Sequence, residues 1–433
     1  MPTHKDQNIL KNWRGLRRYF PRGISWFVVG VVVTLVAVAI RPVLFGNDDL
    51  EPGRLVVLSG QDDSPGGQRQ KLIDRWNDLH PSNPAEIREL SSNAAQQHAD
   101  MVADAQSGEH TVDIYNLDVT WTAEFAAAHY IRPLGDVDTS GFLKKPLDTC
   151  RYQGKLWALP FNTDAGLLYY RTDQVESLPD KLPPASGHPD QSGPYAVQLV
   201  DEGLTVNALE AIWSTDGGVL DGQNQSTVDS TRTANGLRDL TQNVTALADR
   251  LGRPVTDLLP RFDERAGTDA FIAGQVTMMR NWPVAYAQIK AAPQVPGRVD
   301  VADSFDVAEL PSPSVLGGQD LAVAAGSTRP RAAEALVRFL TSDDSERALF
   351  EDGGFAATRA SVYDDPSVRA ARPYAATLRS AIQHARPRPT TPYYALFSME
   401  FRQIVRATLN QDGQVPSDAA RRIDDALRGQ LDP

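Results

Sequence analysis

A chain of 433 residues is too long for one hydrophobic core of ordinary size and predicts two globular units plus additional segments. Its apolar content of 41% and charged content of 23% are those of a folded protein, and a net charge of −12 argues against nucleic acid as a partner. The single cysteine, Cys150, rules out an intramolecular disulfide and a cysteine-built metal site.

Residues 1–22 carry Lys5, Lys11, Arg14, Arg17, Arg18 and Arg22 against one acid, Asp6. An apolar span over residues 23–41 follows, in which Ile24 to Ile40 is interrupted only by Ser25, Gly30 and Thr34. This is close to the roughly 17-residue lower limit for crossing a bilayer as a helix. The basic flank places the N-terminus in the cytoplasm and the rest of the chain outside. The span ends in Ile40-Arg41-Pro42 with no A-x-A pattern, and no cysteine follows that could carry a lipid. The expectation is an uncleaved transmembrane signal anchor, joined by a linker over 42–52 to an extracellular domain.

From Arg54 the pattern is α/β. Arg54 to Ser59 reads as a strand, Gly60 to Gly67 as a polar loop, and Gln68 to His80 as a helix with Leu72, Ile73, Trp76 and Leu79 on one face. Glu86 to Leu90 predicts a second strand and Ala94 to Ala105 a second helix. Thr111 to Asp118 predicts a third strand. Asp118 therefore stands at a strand's carboxyl end, where α/β folds place ligands, although an acid before a helix is also an ordinary cap. Trp121 leads into the next helix.

Tyr152 to Arg171 is the segment around which the chain is organised. Leu156 to Phe161 and Ala165 to Tyr170 are apolar, strand-like runs, and Asn162-Thr163-Asp164 forms a polar crossover between them. Buried polar groups at such a place must be satisfied internally or by a ligand. Leu178 to Gly203 is loop by composition, and helices are predicted at Asn207 to Trp213 and Thr233 to Arg250. Asp221, Asn224 and Asp229 lack calcium-loop spacing. Val276 to Met279 reads as a strand, and Asn281-Trp282-Pro283 as a turn into a helix. Trp282 is either a core residue or a platform on which a sugar ring stacks. Phe305 to Leu310 and Leu321 to Ala325 read as strands flanking Leu316-Gly317-Gly318-Gln319. Arg331 to Leu340, Ser345 to Asp352 and Phe397 to Leu409 read as helices.

These stretches, taken together and in order, resemble the extracellular solute-binding proteins of ABC importers, in the carbohydrate branch that includes the trehalose/maltose-binding proteins. The resemblance runs from about Arg54 to the C-terminus. It rests on the D-x-x-x-x-D-x-x-W of Asp113 to Trp121, the crossover, the G-x-x-x-M-x-x-x-W-P of Gly274 to Pro283, the Gly-Gly pair and the R-P-x-x-P-Y-Y beginning at Arg388. It implies a two-lobed periplasmic-binding-protein-like fold with discontinuous lobes and a hinge. Lobe one would take 53–161 and 305–330, and lobe two 162–304 and 331–433.

By the same resemblance, Asp118 and Asp164 accept from sugar hydroxyls with Asn162 and Trp121 alongside, Arg388 donates, and Trp282 stacks on a ring. Gly317 and Gly318 let the ligand approach closely. Relatives carry a second stacking Trp where this chain has Gln319, which points to a more polar contact there. Gln61, Asp63 and Gln97 match the family's remaining positions less closely. The partners implied are a carbohydrate, importer permease subunits and the membrane through the N-terminal helix, with no cofactor and no metal.

An enzyme has little support, since G-x-S-x-G, H-E-x-x-H and phosphate-loop motifs are all missing. Asp118 and Asp164 could form a glycosidase pair, a reading that a sugar-release assay would decide. The other class left open is a sensory or scaffolding ectodomain that keeps the fold without transport, as the anchor and Gln319 would allow.

Overall fold

The computed structural model describes residues 50–62, 64, 66–91, 93–181, 195–221, 225–294 and 299–430. The predicted anchor over 23–41, the segment 1–22 and Asp63 lie outside these residues. Among the described residues no helix is long and apolar enough to cross a membrane.

Strand β1 (Leu55–Ser59) pairs in parallel with β2 (Ala85–Glu89) on one side and β3 (Ile114–Asp118) on the other. The chain returns between them through helices α1 (Gln68–Leu79) and α2 (Ala94–Ser107), the long connection that parallel strands require. Helix α1 buries Leu72, Ile73 and Trp76 as its spacing predicts, whereas Leu79 is exposed. Asn93 starts α2 by accepting from the Gln96 backbone N–H.

A short hairpin, β4 (Arg151–Tyr152) and β5 (Lys155–Leu156), leads into β6 (Ala158–Ala165). The sequence predicts a strand ending at Phe161 and a polar loop after it. The structure corrects this. β6 continues through Asn162, Thr163 and Asp164, and Gly166 alone separates it from β7 (Leu167–Arg171). Pro160 does not end the strand because β6 is at the sheet's edge and the register shifts beside it.

Strand β7 is the centre of a second, three-stranded sheet, between β8 (Met278–Asn281) and β9 (Phe305–Glu309) and antiparallel to both. From β9 the chain enters β10 (Leu316–Val323), which is antiparallel to both β3 and β6. The first sheet thus has the order β2-β1-β3-β10-β6.

Helices complete the second part. α3 (Asp201–Trp213) starts six residues earlier than the predicted Asn207, so Glu202 is helical rather than part of a loop. It packs against α4 (Thr231–Leu251), which buries Leu237, Leu240, Val244 and Leu247. Ser230 caps the start of α4, and Gly252 ends it in the left-handed region. α5 (Glu264–Ile272) packs on β8.

Two predicted lobe assignments change. The sequence places 305–330 in lobe one, but β9 pairs with β7, and the Phe305 ring lies among Tyr169, Phe271 and Tyr286. Conversely, α6 (Pro330–Leu340), most of which the sequence places in lobe two, packs on β10, β6 and α1. Its stripe of Ala333, Leu336, Val337 and Leu340 is buried there, and Phe339 meets Trp76 of α1. The long C-terminal helix α7 (Tyr394–Asn410) returns to α3 and α4.

Candidate ligand site

Strand pairing sets the floor of the site. Gln319 of β10 lies opposite Asp118 of β3 on one side and Asn162 of β6 on the other. Two residues along, Gly317 lies opposite Asp164. Because β7 begins directly after Gly166 and pairs Leu167 with Asn281, Trp282 arrives at the end of β6. A Cβ on Gly317 would stand 3.3 Å from the Asp164 Cβ and 3.4 Å from the Trp282 ring, so these three positions are contiguous.

Two polar side chains here lack hydrogen-bond partners among the described residues. Asn162 is 2% exposed, and neither its amide nitrogen nor its amide oxygen has a hydrogen-bond partner among the described residues. Such a group costs free energy unless a ligand or water engages it. No hydrogen bond involves the Asp164 carboxyl among the described residues either. Burial pushes it up to about 7, with Arg69 and Arg280 pulling it down and Asp118 pushing it further up. Thus a donor, an amide acceptor and a carboxyl acceptor face the same seam, the combination that a hydroxyl-rich molecule satisfies.

A second cluster adjoins the first. Arg388 Nη2 donates to Asp118 Oδ1 at 3.0 Å, and Nη1 donates to Glu202 Oε1 at 2.9 Å. Ser398 and Tyr394 also donate to Glu202, and the Thr120 backbone N–H and hydroxyl donate to Asp118. Arg388 is 6% exposed. Burial works against its charge, but Asp118, Tyr394 and Glu202 outweigh that and raise it above its ordinary value. Asp118, Trp121, His98, Glu202, Tyr394 and Arg402 line a cavity of about 100 Å³ here.

The predicted residues therefore fall into groups. Asn162, Asp164, Gly317, Gln319 and Trp282 come together at the seam, while Asp118 and Arg388 sit at its side. Arg388, expected to donate to a ligand, spends both terminal nitrogens on carboxylates, because Glu202 reaches it from α3. Trp121 lines the cavity but is 7% exposed and packs in the core beside His98, so most of its surface is committed.

Gly318 has a reason other than ligand access. Its φ is +123°, and a Cβ would fall 2.3 Å from the Asn162 carbonyl oxygen, so strand packing itself demands glycine. Gln97 lies over Gly60 at the end of β1, and Gln61 is exposed. The neighbouring Asp62 is taken up by its own loop, accepting from Ser64 and from the Arg69 backbone.

Three charged residues at the site escape the sequence reading. Arg69 reaches Gln319 from α1, Glu202 holds Arg388, and Arg280 lies under Trp282. For Arg69 a signal exists. It shares a stripe with Leu72, Ile73 and Trp76, and a charge on an apolar stripe calls for a buried partner. Glu202 lies in a stretch that its composition marks as loop.

Two α/β sheets joined by short strand crossovers, with hydrogen-bonding side chains gathered where they meet, define a binding protein of the two-lobed type. The chain belongs to the family of bacterial extracellular solute-binding proteins, which it matches over residues 72–376. It is 30% identical over 309 residues to the "Probable ABC transporter-binding protein" of Deinococcus radiodurans, covering 65% of this chain and 70% of that one.

In structure it is similar to maltose-bound MalE3 of T. maritima, with TM-score 0.75 and 25% identity over 87% of this chain and 99% of that one. It is similar in fold to the GacH receptor of Streptomyces glaucescens GLA.O, with TM-score 0.71 and 24% identity over 88% and 99% of the two chains. This is a family of binding proteins, and the chain is not an enzyme.

Proposed function

We propose that the chain captures a sugar or oligosaccharide at the seam formed by Asn162, Asp164, Gly317, Gln319 and Trp282, and delivers it to the permease subunits of an ABC importer. The observation that carries this is Asn162, a buried amide with two atoms unpartnered among the described residues, beside an indole and a carboxyl that has no hydrogen bond among them. Hydroxyls both donate and accept, and pyranose C–H groups lie well on an indole face. The likeness to a maltose-bound protein supports the same class of ligand.

Asp118 accepts from the ligand in exchange for part of its contact with Arg388. The crossovers after β6 and β9 act as a hinge, so ligand binding favours a closed arrangement. The segment over 23–41, with its basic flank, anchors the protein and leaves the binding domain outside the cell.

A glycan array followed by calorimetry on the full-length protein tests the reading. We expect at least one glycan to bind, and Trp282→Ala and Asp164→Asn each to weaken it by about tenfold or more, in line with the worth of aromatic and buried hydrogen-bond contacts. Binding that neither change affects would refute the site. A folded protein that binds no glycan would refute the carbohydrate reading, and normal sugar uptake without this protein would refute the delivery role.

A further inference from the structure

We propose that Arg280 is a positioning residue that holds Trp282 as a one-faced platform for a sugar ring; the sugar rests on the carbohydrate reading above, the positioning does not. The Arg280 guanidinium carbon lies 3.8 Å from the centre of a Trp282 ring, so one face of the indole is covered by protein. Among the described residues no other ring or cation stacks on Trp282. The opposite face is where a ligand ring can lie.

The guanidinium is itself fixed. Arg280 is 1% exposed and pairs with Glu210 through two hydrogen bonds, Nε to Oε2 at 2.9 Å and Nη2 to Oε1 at 2.7 Å. Two parallel bonds fix the plane of the fork as well as its place. Glu210 Oε1 also accepts from the Val315 backbone at 2.9 Å, which ties it to the entry of β10. The Gln198 amide donates to the Arg280 carbonyl at 2.6 Å. The crossover keeps Gly166 at this place, since a Cβ there would fall 2.7 Å from Arg280 and 2.8 Å from Glu210.

Other groups hold the rest of the indole. The Trp282 side chain lies near the Glu264 carboxyl, and the edge of the ring lies against Gly317. Tyr169 donates to the Trp282 carbonyl at 2.8 Å. Burying an ion pair is seldom the cheapest way to stabilise a core, because both charges are stripped of water. A rigid plane under an aromatic surface is something an aliphatic pair would not supply. A platform held before binding loses less rotamer freedom when the ligand arrives.

The test uses the full chain and the indole N–H signals of its seven tryptophans, with that of Trp282 assigned by its loss in Trp282→Phe. Arg280→Lys keeps the charge but loses the planar fork. The paired change Glu210→Leu with Arg280→Met removes both charges, so neither is left buried alone if the single variant fails to fold.

We expect the Trp282 signal to move and broaden in whichever of these variants folds. Maltose, as the probe, should bind the folded variant about tenfold more weakly, the size expected for one aromatic contact. An unmoved Trp282 signal would overturn the proposal, and so would a moved signal with unchanged maltose affinity. A moved signal in a protein that binds no sugar at all supports the positioning role and sinks the carbohydrate reading instead.

Discussion

Arg69 Nη2 donates to Gln319 Oε1 at 2.7 Å, linking the first helix of the fold to a strand 250 residues later. An arginine only donates, so the Gln319 amide must turn its oxygen toward Arg69, leaving its NH2 to face elsewhere. The same guanidinium lies 4.5 Å from the Phe355 ring centre and 5.8 Å from that of Phe161. Arg69→Met should therefore lower stability by about 2 kcal/mol, because it removes a charged hydrogen bond and the cation–π attraction to both rings at once. Urea unfolding measures it, and a change within experimental error would show that the arginine contributes nothing.

Gly318→Ala should be more damaging than Gly317→Ala. At Gly318 the added carbon meets backbone at 2.3 Å in a conformation that L residues rarely adopt, whereas at Gly317 it meets side-chain atoms at 3.3–3.4 Å. We expect roughly 3 kcal/mol at position 318 from overpacking and strain combined. Equal melting temperatures for the two variants would contradict this account.

The Asp118–Arg388–Glu202 cluster predicts an asymmetry. Arg388→Met leaves two partly buried carboxylates facing each other and should cost about 3 kcal/mol. Adding Asp118→Asn and Glu202→Gln to it should recover part of that loss, because the uncompensated charge is gone. Comparing the single and triple variants by denaturant titration decides the matter. A triple variant less stable than the single one would mean that hydrogen bonding, not charge, dominates.

Two buried carboxyls give the fold a pH dependence. Burial pushes Glu346 up to about 8 against the hydrogen bonds it accepts from Thr358 and Arg359, and Asp320 up to about 7 against those from Thr122 and Thr149. Their ordinary values are 4.5 and 3.8. The folded state thus binds these protons more tightly than the unfolded chain does. Their contribution is fully present below those ordinary values and is lost as the pH rises toward about 7 to 8. Glu346→Gln should flatten the fall in melting temperature between about pH 5 and pH 8. A profile as steep as that of the wild type would assign the dependence to other groups.

Much of this was legible in local pattern. The alternation of Thr111 to Asp118 and the turn at Asn281-Trp282-Pro283 are short-range signals, and they placed Asp118 at a strand end and Trp282 at the mouth of a turn. What stayed hidden depends on pairing between distant segments. Asn162 to Asp164 reads as a loop until β10 lies beside it, because three polar residues carry no strand signal of their own. Phe305 to Glu309 reads as a strand, but nothing within it says which sheet it joins; that depends on β7 and on the rings around Phe305. Arg69, Glu202 and Arg280 are charges whose partners lie 250, 186 and 70 residues away. A charged side chain looks the same in a sequence whether water or a carboxylate surrounds it, and the packing of the two sheets supplies that difference.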